Sequence, residues 1–236
     1  MVESSTRSTF WRGFWAGMPF TLAVSPFGLA FGVLATEAGL NLIEVMSMSV
    51  LVIAGAAQFT ALSQMQENAP VIVVLIAALA VNLRMAMYSA SLAPYLGPAP
   101  FWKRAVAAYI LVDNSYAVGV AEFERKPEMP IAKKMAFFIG CAIPVWFVWY
   151  IATFAGALLG KSIPAEYSLD FVVPLAFLAI LAPMLKTLAH IAAALTSIIV
   201  ALTLSFLPYS LGLLIAAALA MAVGAEIERR SGLVKS

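Results

Sequence analysis

Charge is scarce in this chain. Its 236 residues hold 14 Lys+Arg and 12 Asp+Glu, 11% in all against the roughly 25% of soluble domains, while 63% are hydrophobic and the mean hydropathy is +0.97. That balance excludes a soluble globular domain. A net charge of +2 leaves no basic excess to recruit nucleic acid. One cysteine, Cys141, rules out a disulfide or thiolate metal cluster within the chain. One histidine, His190, lies four residues after Lys186 with no acidic or thiol company, so it makes no metal site and reads as interfacial. P-loop, zinc-protease helix, nucleophile elbow and Gly-rich dinucleotide loop are all missing, and no Gly-flanked serine pairs with His190 for intramembrane proteolysis. Neither an enzyme nor a cofactor is expected.

What the chain does have is apolar runs of membrane-crossing length. A helix needs roughly 20 apolar residues to cross the hydrocarbon core. Charge-poor stretches at 13–36, 45–66, 71–92, 105–120, 135–160, 171–188, 190–207 and 209–227 predict about eight transmembrane helices in one all-α membrane domain over 1–236. The last two are separated by the turn Pro208-Tyr209-Ser210. Ser4 to Trp15 offers no cleavable leader, so an uncleaved inner-membrane protein is expected. With eight spans, the short loops place ten Lys and Arg inside and Lys103, Arg104 and Lys161 outside. Both termini are then cytoplasmic, and Lys103-Arg104 is the one local violation of the positive-inside rule.

Proline and glycine punctuate two of these spans. Pro19, Pro26, Gly28 and Gly32 fall in the first, and Pro174 and Pro183 in the sixth. Interior proline frees a backbone carbonyl, so both spans are expected to be bent or broken, a pointer to a transporter binding site in paired halves. Helices one to three and six to eight would then form an inverted repeat. The bland alternative is that proline is common in membrane helices. Three Gly-xxx-Gly spacings, Gly13/Gly17, Gly28/Gly32 and Gly156/Gly160, favour a tightly packed bundle.

Two opposite charges stand inside the apolar runs, Arg84 in the third and Asp113 in the fourth. Such residues are costly in hydrocarbon unless paired, wetted or in contact with substrate. On helical spacing, Tyr109, Asp113 and Tyr116 share one face, as do Arg84, Tyr88 and Ser91, with Asn82 just before. Asp113 is too deep to reach an interface and is a candidate for proton coupling; the plainer role is a hydrogen bond to a neighbouring helix. Arg84 can hold Asp113 or a substrate carboxylate through its planar fork, or can snorkel. Gln58, among the small residues of Gly55-Ala56-Ala57-Gln58-Phe59, is either a substrate contact or interhelical glue.

Met18-Pro19, Ser25-Pro26-Phe27-Gly28, Phe31-Gly32, Gly55-Ala56-Ala57-Gln58-Phe59, Asn82-Leu83-Arg84 with Tyr88 to Pro94, and Asp113-Asn114-Ser115-Tyr116 together resemble the AzlC family of bacterial branched-chain amino-acid permeases. The likeness covers most of the chain up to about residue 120. It implies an exporter of branched-chain amino acids working with a small hydrophobic AzlD-type membrane subunit, and it transfers no binding residues. On that reading, Pro26, Phe27, Gly28, Phe31, Gly32, Gln58, Phe59, Asn82, Arg84, Tyr88 and Tyr116 contact the substrate, Asp113 couples a proton, and no metal takes part. A non-transporting scaffold or a passive channel stays open.

Overall fold

The first apolar run begins where Ser5 caps it, its hydroxyl accepting the Ser8 N–H at 3.2 Å, and ends just before Gly39 at φ +91. Helix α1 (Thr6–Glu37) is continuous between those points. The expected break at Pro19 and Pro26 does not occur. Within that stretch the Thr21 and Ser25 hydroxyls donate to the Met18 and Thr21 carbonyls, both at 2.6 Å. Helices α2 (Leu42–Val52), α3 (Gly55–Gln66), α4 (Val71–Leu96), α5 (Phe101–Tyr109), α6 (Asp113–Arg125), α7 (Ile131–Gly160), α8 (Leu188–Thr203) and α9 (Leu211–Arg230) follow. The computed structural model describes residues 5–160, 185, 187–207 and 211–230, and every described element is helical. The sixth predicted span, with Pro174 and Pro183, falls almost wholly outside the described residues, as does the turn at 208–210.

The chain divides into two units, residues 1–62 with 78–169 and residues 63–77 with 170–236. In the second, α8 and α9 pack antiparallel, with Gly212 against Leu204 and Gly224 facing Ala193 and Ala189. The first is built on α1 and α7. A Cβ on Gly13 would strike the Phe137 carbonyl, one on Gly17 the Cys141 carbonyl, and one on Gly32 the Thr153 carbonyl; from the other side, Gly140 and Gly156 meet the carbonyls of Phe10 and Leu29. The Gly-xxx-Gly spacings therefore form a single seam. Partner numbers rise together along it, so α1 and α7 run parallel.

Three contacts mark the end at which both helices begin. Arg12 pairs with Glu122 at 2.6 Å, Lys134 Nζ lies 5.6 Å from the Tyr95 ring, and Trp102 and Lys103 share a cavity wall with Thr6, Arg7 and Ala132. Both the start of α5 and the finish of α6 are therefore at this end, as is the C-terminus of α4. Between them the chain dips inward and returns: along α7, Val106 lies by Ile139, Tyr109 stacks edge-on with Trp146, and Gly119 is back beside Phe138. Helices α5 and α6 form a re-entrant hairpin with its tip at 110–112.

Helices α2 and α3 do the same from the opposite end. Val45 and Leu62 cluster with Ala35 and Ala157, Gln58 bonds Ser49 across the hairpin, and the tip lies at Ile53-Ala54, with Ile53 in the left-handed region at φ 39. Each of these four helices, of 11, 12, 9 and 13 residues, is too short to cross alone. The runs 45–66 and 105–120 are thus hairpins, and 13–160 holds three helices long and apolar enough to cross, α1, α4 and α7, where five were expected. Among the described residues, only α1, α4, α7 and α9 have the length and apolarity of full spans, with α8 shorter. The order crossing then hairpin, α1–α3, recurs inverted in α4–α6.

Candidate functional site

The two hairpin tips meet. Tyr109, the last residue of α5, donates its hydroxyl to the Val50 carbonyl near the end of α2 at 2.8 Å. That bond supplies a partner for a carbonyl which the break in the helix has left without one. Because α3 and α6 both start at the tips, their N-terminal amides, carrying partial positive charge, lie in the interior of the unit.

Asp113 is the first residue of α6, so its carboxylate stands at one of those N-termini. Val112 is extended (φ −137, ψ 165), and Ser115 locks the turn: its Oγ accepts the Val112 N–H at 3.0 Å and donates to the Val112 carbonyl at 2.9 Å. From α4, Arg84 Nη1 reaches Asp113 Oδ2 at 3.3 Å. The two side chains are 36% and 47% exposed within this chain, so the pair is open to an incoming molecule. One and two turns further along α4, Tyr88 stacks on Tyr116 with centroids 4.1 Å apart, and Ser91 Oγ accepts from Tyr116 Oη at 3.0 Å. Tyr88 also interacts with the Asp113 carboxylate. Arg84 Nε and Asn82 Oδ1 are buried and form no hydrogen bond among the described residues. A donor and an acceptor beside an accessible ion pair suit a polar ligand of both signs.

At the other tip Gln58 is fully buried, its Nε2 donating to Ser49 Oγ at 3.0 Å while Oε1 accepts nothing from the described residues. An aromatic wall adjoins it: Phe31 meets Phe59 edge-on at 5.6 Å and stacks with Trp149 at 6.3 Å. Trp149 also covers Gly55, where a Cβ would come within 2.8 Å of the indole.

The structure thus joins Arg84, Asp113, Tyr88 and Tyr116 in one cluster and places Gln58, Phe31 and Phe59 at the facing tip. It separates others. Tyr109 does not share a helical face with Asp113 and Tyr116, because the helix ends between them. Pro26 is exposed and Phe27 half-buried, whereas Gly28 and Gly32 face the backbone of α7, so the unbroken α1 offers no freed backbone stretch for a ligand there.

Residues 122–134 carry mixed charges and two prolines, a composition that suits a solvated turn. Glu122 is instead only 6% exposed and holds Arg12 at 2.6 Å, Lys126 at 2.9 Å and Arg125. Burial pushes its carboxyl up, but the hydrogen bonds from Lys126 and Arg125 and the charge of Arg12 outweigh that, and the net shift is below its ordinary value. The i, i+3 and i, i+4 spacing to Arg125 and Lys126 was the available signal; the partner from α1 had none.

The AzlC family model, described as the AzlC protein, matches residues 19–163, which include both hairpins. An uncharacterised membrane protein of Archaeoglobus fulgidus is 31% identical over 226 residues, 93% of this chain and 95% of that one. The inner membrane protein YgaZ of Escherichia coli is 27% identical over 180 residues, 74% of this chain and 72% of its own length. No solved structure matches.

Proposed function

The chain belongs to the AzlC family, and from that membership and the two facing hairpins we propose that it is a secondary transporter exporting branched-chain and similar apolar amino acids across a bacterial inner membrane in exchange for protons. One observation carries the reading: an accessible Arg84–Asp113 pair at the N-terminus of a half-helix whose hairpin is bonded tip to tip with a second one. Discontinuous helices with their ends at mid-membrane are a recurring way to bind a charged solute away from water.

A zwitterion fits between the paired charges, its carboxylate taking the Arg84 fork and its ammonium taking Asp113. Each charge then keeps a partner, so the substrate replaces the resting ion pair without stranding a charge. Asn82 and Gln58 supply further polar contacts, and Phe31 and Phe59 an apolar wall for the side chain. A proton reaching Asp113 neutralises it and weakens its hold on the ammonium. Substrate and proton exclude one another there, and mutual exclusion is what an exchanger requires.

The basic end is taken as cytoplasmic. Every Lys and Arg of residues 5–160 except Arg84 belongs to segments at that end, namely Arg7, Arg12, Lys103, Arg104, Arg125, Lys126, Lys133 and Lys134, so the positive-inside rule is met without the violation at Lys103-Arg104. The apolar face of α4, with Leu79, Leu83 and Met87 exposed, suits cover by a small hydrophobic subunit of the AzlD type.

Proteoliposomes test the transport reading. Vesicles loaded with valine and carrying this chain, with and without the small subunit, are expected to take up labelled valine by saturable counterflow, and an inward proton gradient should accelerate export. Folded protein showing neither flux nor binding supports a scaffold, and flux without saturation supports a passive channel.

A further inference from the structure

At the basic end, three cations converge on the single buried carboxylate of Glu122: Arg12 from α1, and Arg125 and Lys126 from the end of α6. One carboxylate offsets one of them, which leaves an excess of two positive charges. Arg12 Nε is buried and donates no hydrogen bond among the described residues. Beside the cluster lies an open cavity of about 500 Å³, with Arg12, Glu122 and Arg125 on its polar side and Ala16, Val118 and Phe137 among its apolar residues. Cationic groups above an apolar wall, at the end of a membrane-crossing helix pair, complement an anionic headgroup with its acyl chain below. Glu122 contributes by spacing the cations: it holds them in fixed positions that repulsion would otherwise spread.

We propose that this pocket binds the phosphodiester headgroup of one anionic phospholipid, with Arg12 and Arg125 of its lining as cationic contacts, Lys126 adding its charge from beside Glu122, and the apolar wall receiving the start of an acyl chain. The ligand chemistry is a phosphate anion; the apolar wall selects the lipid over free phosphate. The site is distinct from the Arg84–Asp113 cluster, and its occupancy does not depend on the transport reading.

The test is lipid binding by the purified full-length chain, read by native mass spectrometry with phosphatidylglycerol and phosphatidylcholine as probes. Phosphatidylglycerol is expected to bind more tightly, and Arg125→Gln to weaken it by about fivefold, the value of one basic side chain at a membrane surface. Arg125→Gln/Lys126→Gln should weaken it by roughly 25-fold, those two effects multiplied, while leaving the Arg12–Glu122 pair in place. The single variant keeps the test valid if the double one fails to fold, because the Arg125 side chain is 67% exposed and Glu122 retains two cations without it. Lys103→Gln/Arg104→Gln removes two charges elsewhere on the same end and should leave the affinity unchanged. Equal loss in that control overturns the site in favour of general surface attraction. Displacement of the lipid by millimolar inorganic phosphate overturns the lipid in favour of a free anion, and equal binding of both lipids overturns the proposal outright.

Discussion

Asp113 and Glu122 are both acids on α6, yet their surroundings assign them opposite tasks. Asp113 has one cation at 3.3 Å and a half-exposed side chain, so its partner can be exchanged. Asp113→Asn removes the titrating group and keeps the shape, so valine counterflow should fall at least tenfold and its remaining rate should no longer change with pH; wild-type rate and pH profile in proteoliposomes would remove Asp113 from the coupling step. Glu122 has three cations and almost no exposure, so it is fixed. Its folded value lies below the ordinary 4.5, so the folded state favours the ionised form. Its contribution is complete above about pH 5 and is lost as the pH falls through the lowered folded value. Thermal unfolding of the detergent-solubilised chain should therefore show a Tm that drops below pH 4.5. In Glu122→Gln that acid limb should flatten, and the Tm at neutral pH should be lower, because three cations then repel without a counter-charge. The first acid was legible in the sequence because a charge inside an apolar run is conspicuous. The second was not, because a charge among other charges looks solvated until the fold brings Arg12 across.

The same contrast holds for helices. Proline was the sequence signal for a break, but Pro19, Pro26, Pro94 and Pro144 all sit inside continuous helices. The real breaks, at 53–54 and 110–112, contain neither proline nor glycine and interrupt no apolar run, so hydropathy passes over them. The break at 110–112 is held locally by the Ser115 lock on Val112, and the two breaks are tied across the fold by the Ser49–Gln58 and Tyr109–Val50 bonds. Tyr109→Phe deletes the bond between the tips and should cost about 1 kcal/mol of stability, the net worth of one such bond. Its larger effect is expected on counterflow rate, since the hairpins would no longer be tied. The α1–α7 seam makes a separate prediction. Alanine normally improves a helix over glycine by about 1 kcal/mol, and Gly224→Ala on α9, whose Cβ would meet the Ala193 methyl at 3.3 Å and the Ala189 carbonyl at 3.8 Å, should be neutral or stabilising. Gly32→Ala drives a methyl into the Thr153 carbonyl and should cost about 1–3 kcal/mol through overpacking. Equal Tm values for the two variants would mean that α1 and α7 are not in backbone contact.

For residues 5–160 the difference between five crossings and three hairpin-linked ones has a direct consequence for which side of the membrane each loop faces. Counting apolar runs placed Lys103 outside, opposite the N-terminus. The cavity shared by Trp102 and Lys103 with Thr6, Arg7 and Ala132 puts it on the same side. Cysteine scanning decides between them, and the chain is well suited to it, since its single thiol, Cys141, is fully buried and can be replaced by alanine with little change in volume. In that background Glu44→Cys, at the start of α2, and Lys103→Cys, at the start of α5, are placed at opposite ends of the unit. A membrane-impermeant maleimide added to intact cells should modify position 44 and spare position 103 until the cells are opened. Both counts agree on position 44, so its labelling controls for expression and orientation. Position 103 alone separates them: labelling there in intact cells would restore the five-crossing arrangement, and protection would leave the basic residues of 5–160, Arg84 apart, on one side, with the two hairpins entering from opposite faces to meet at Tyr109 and Val50.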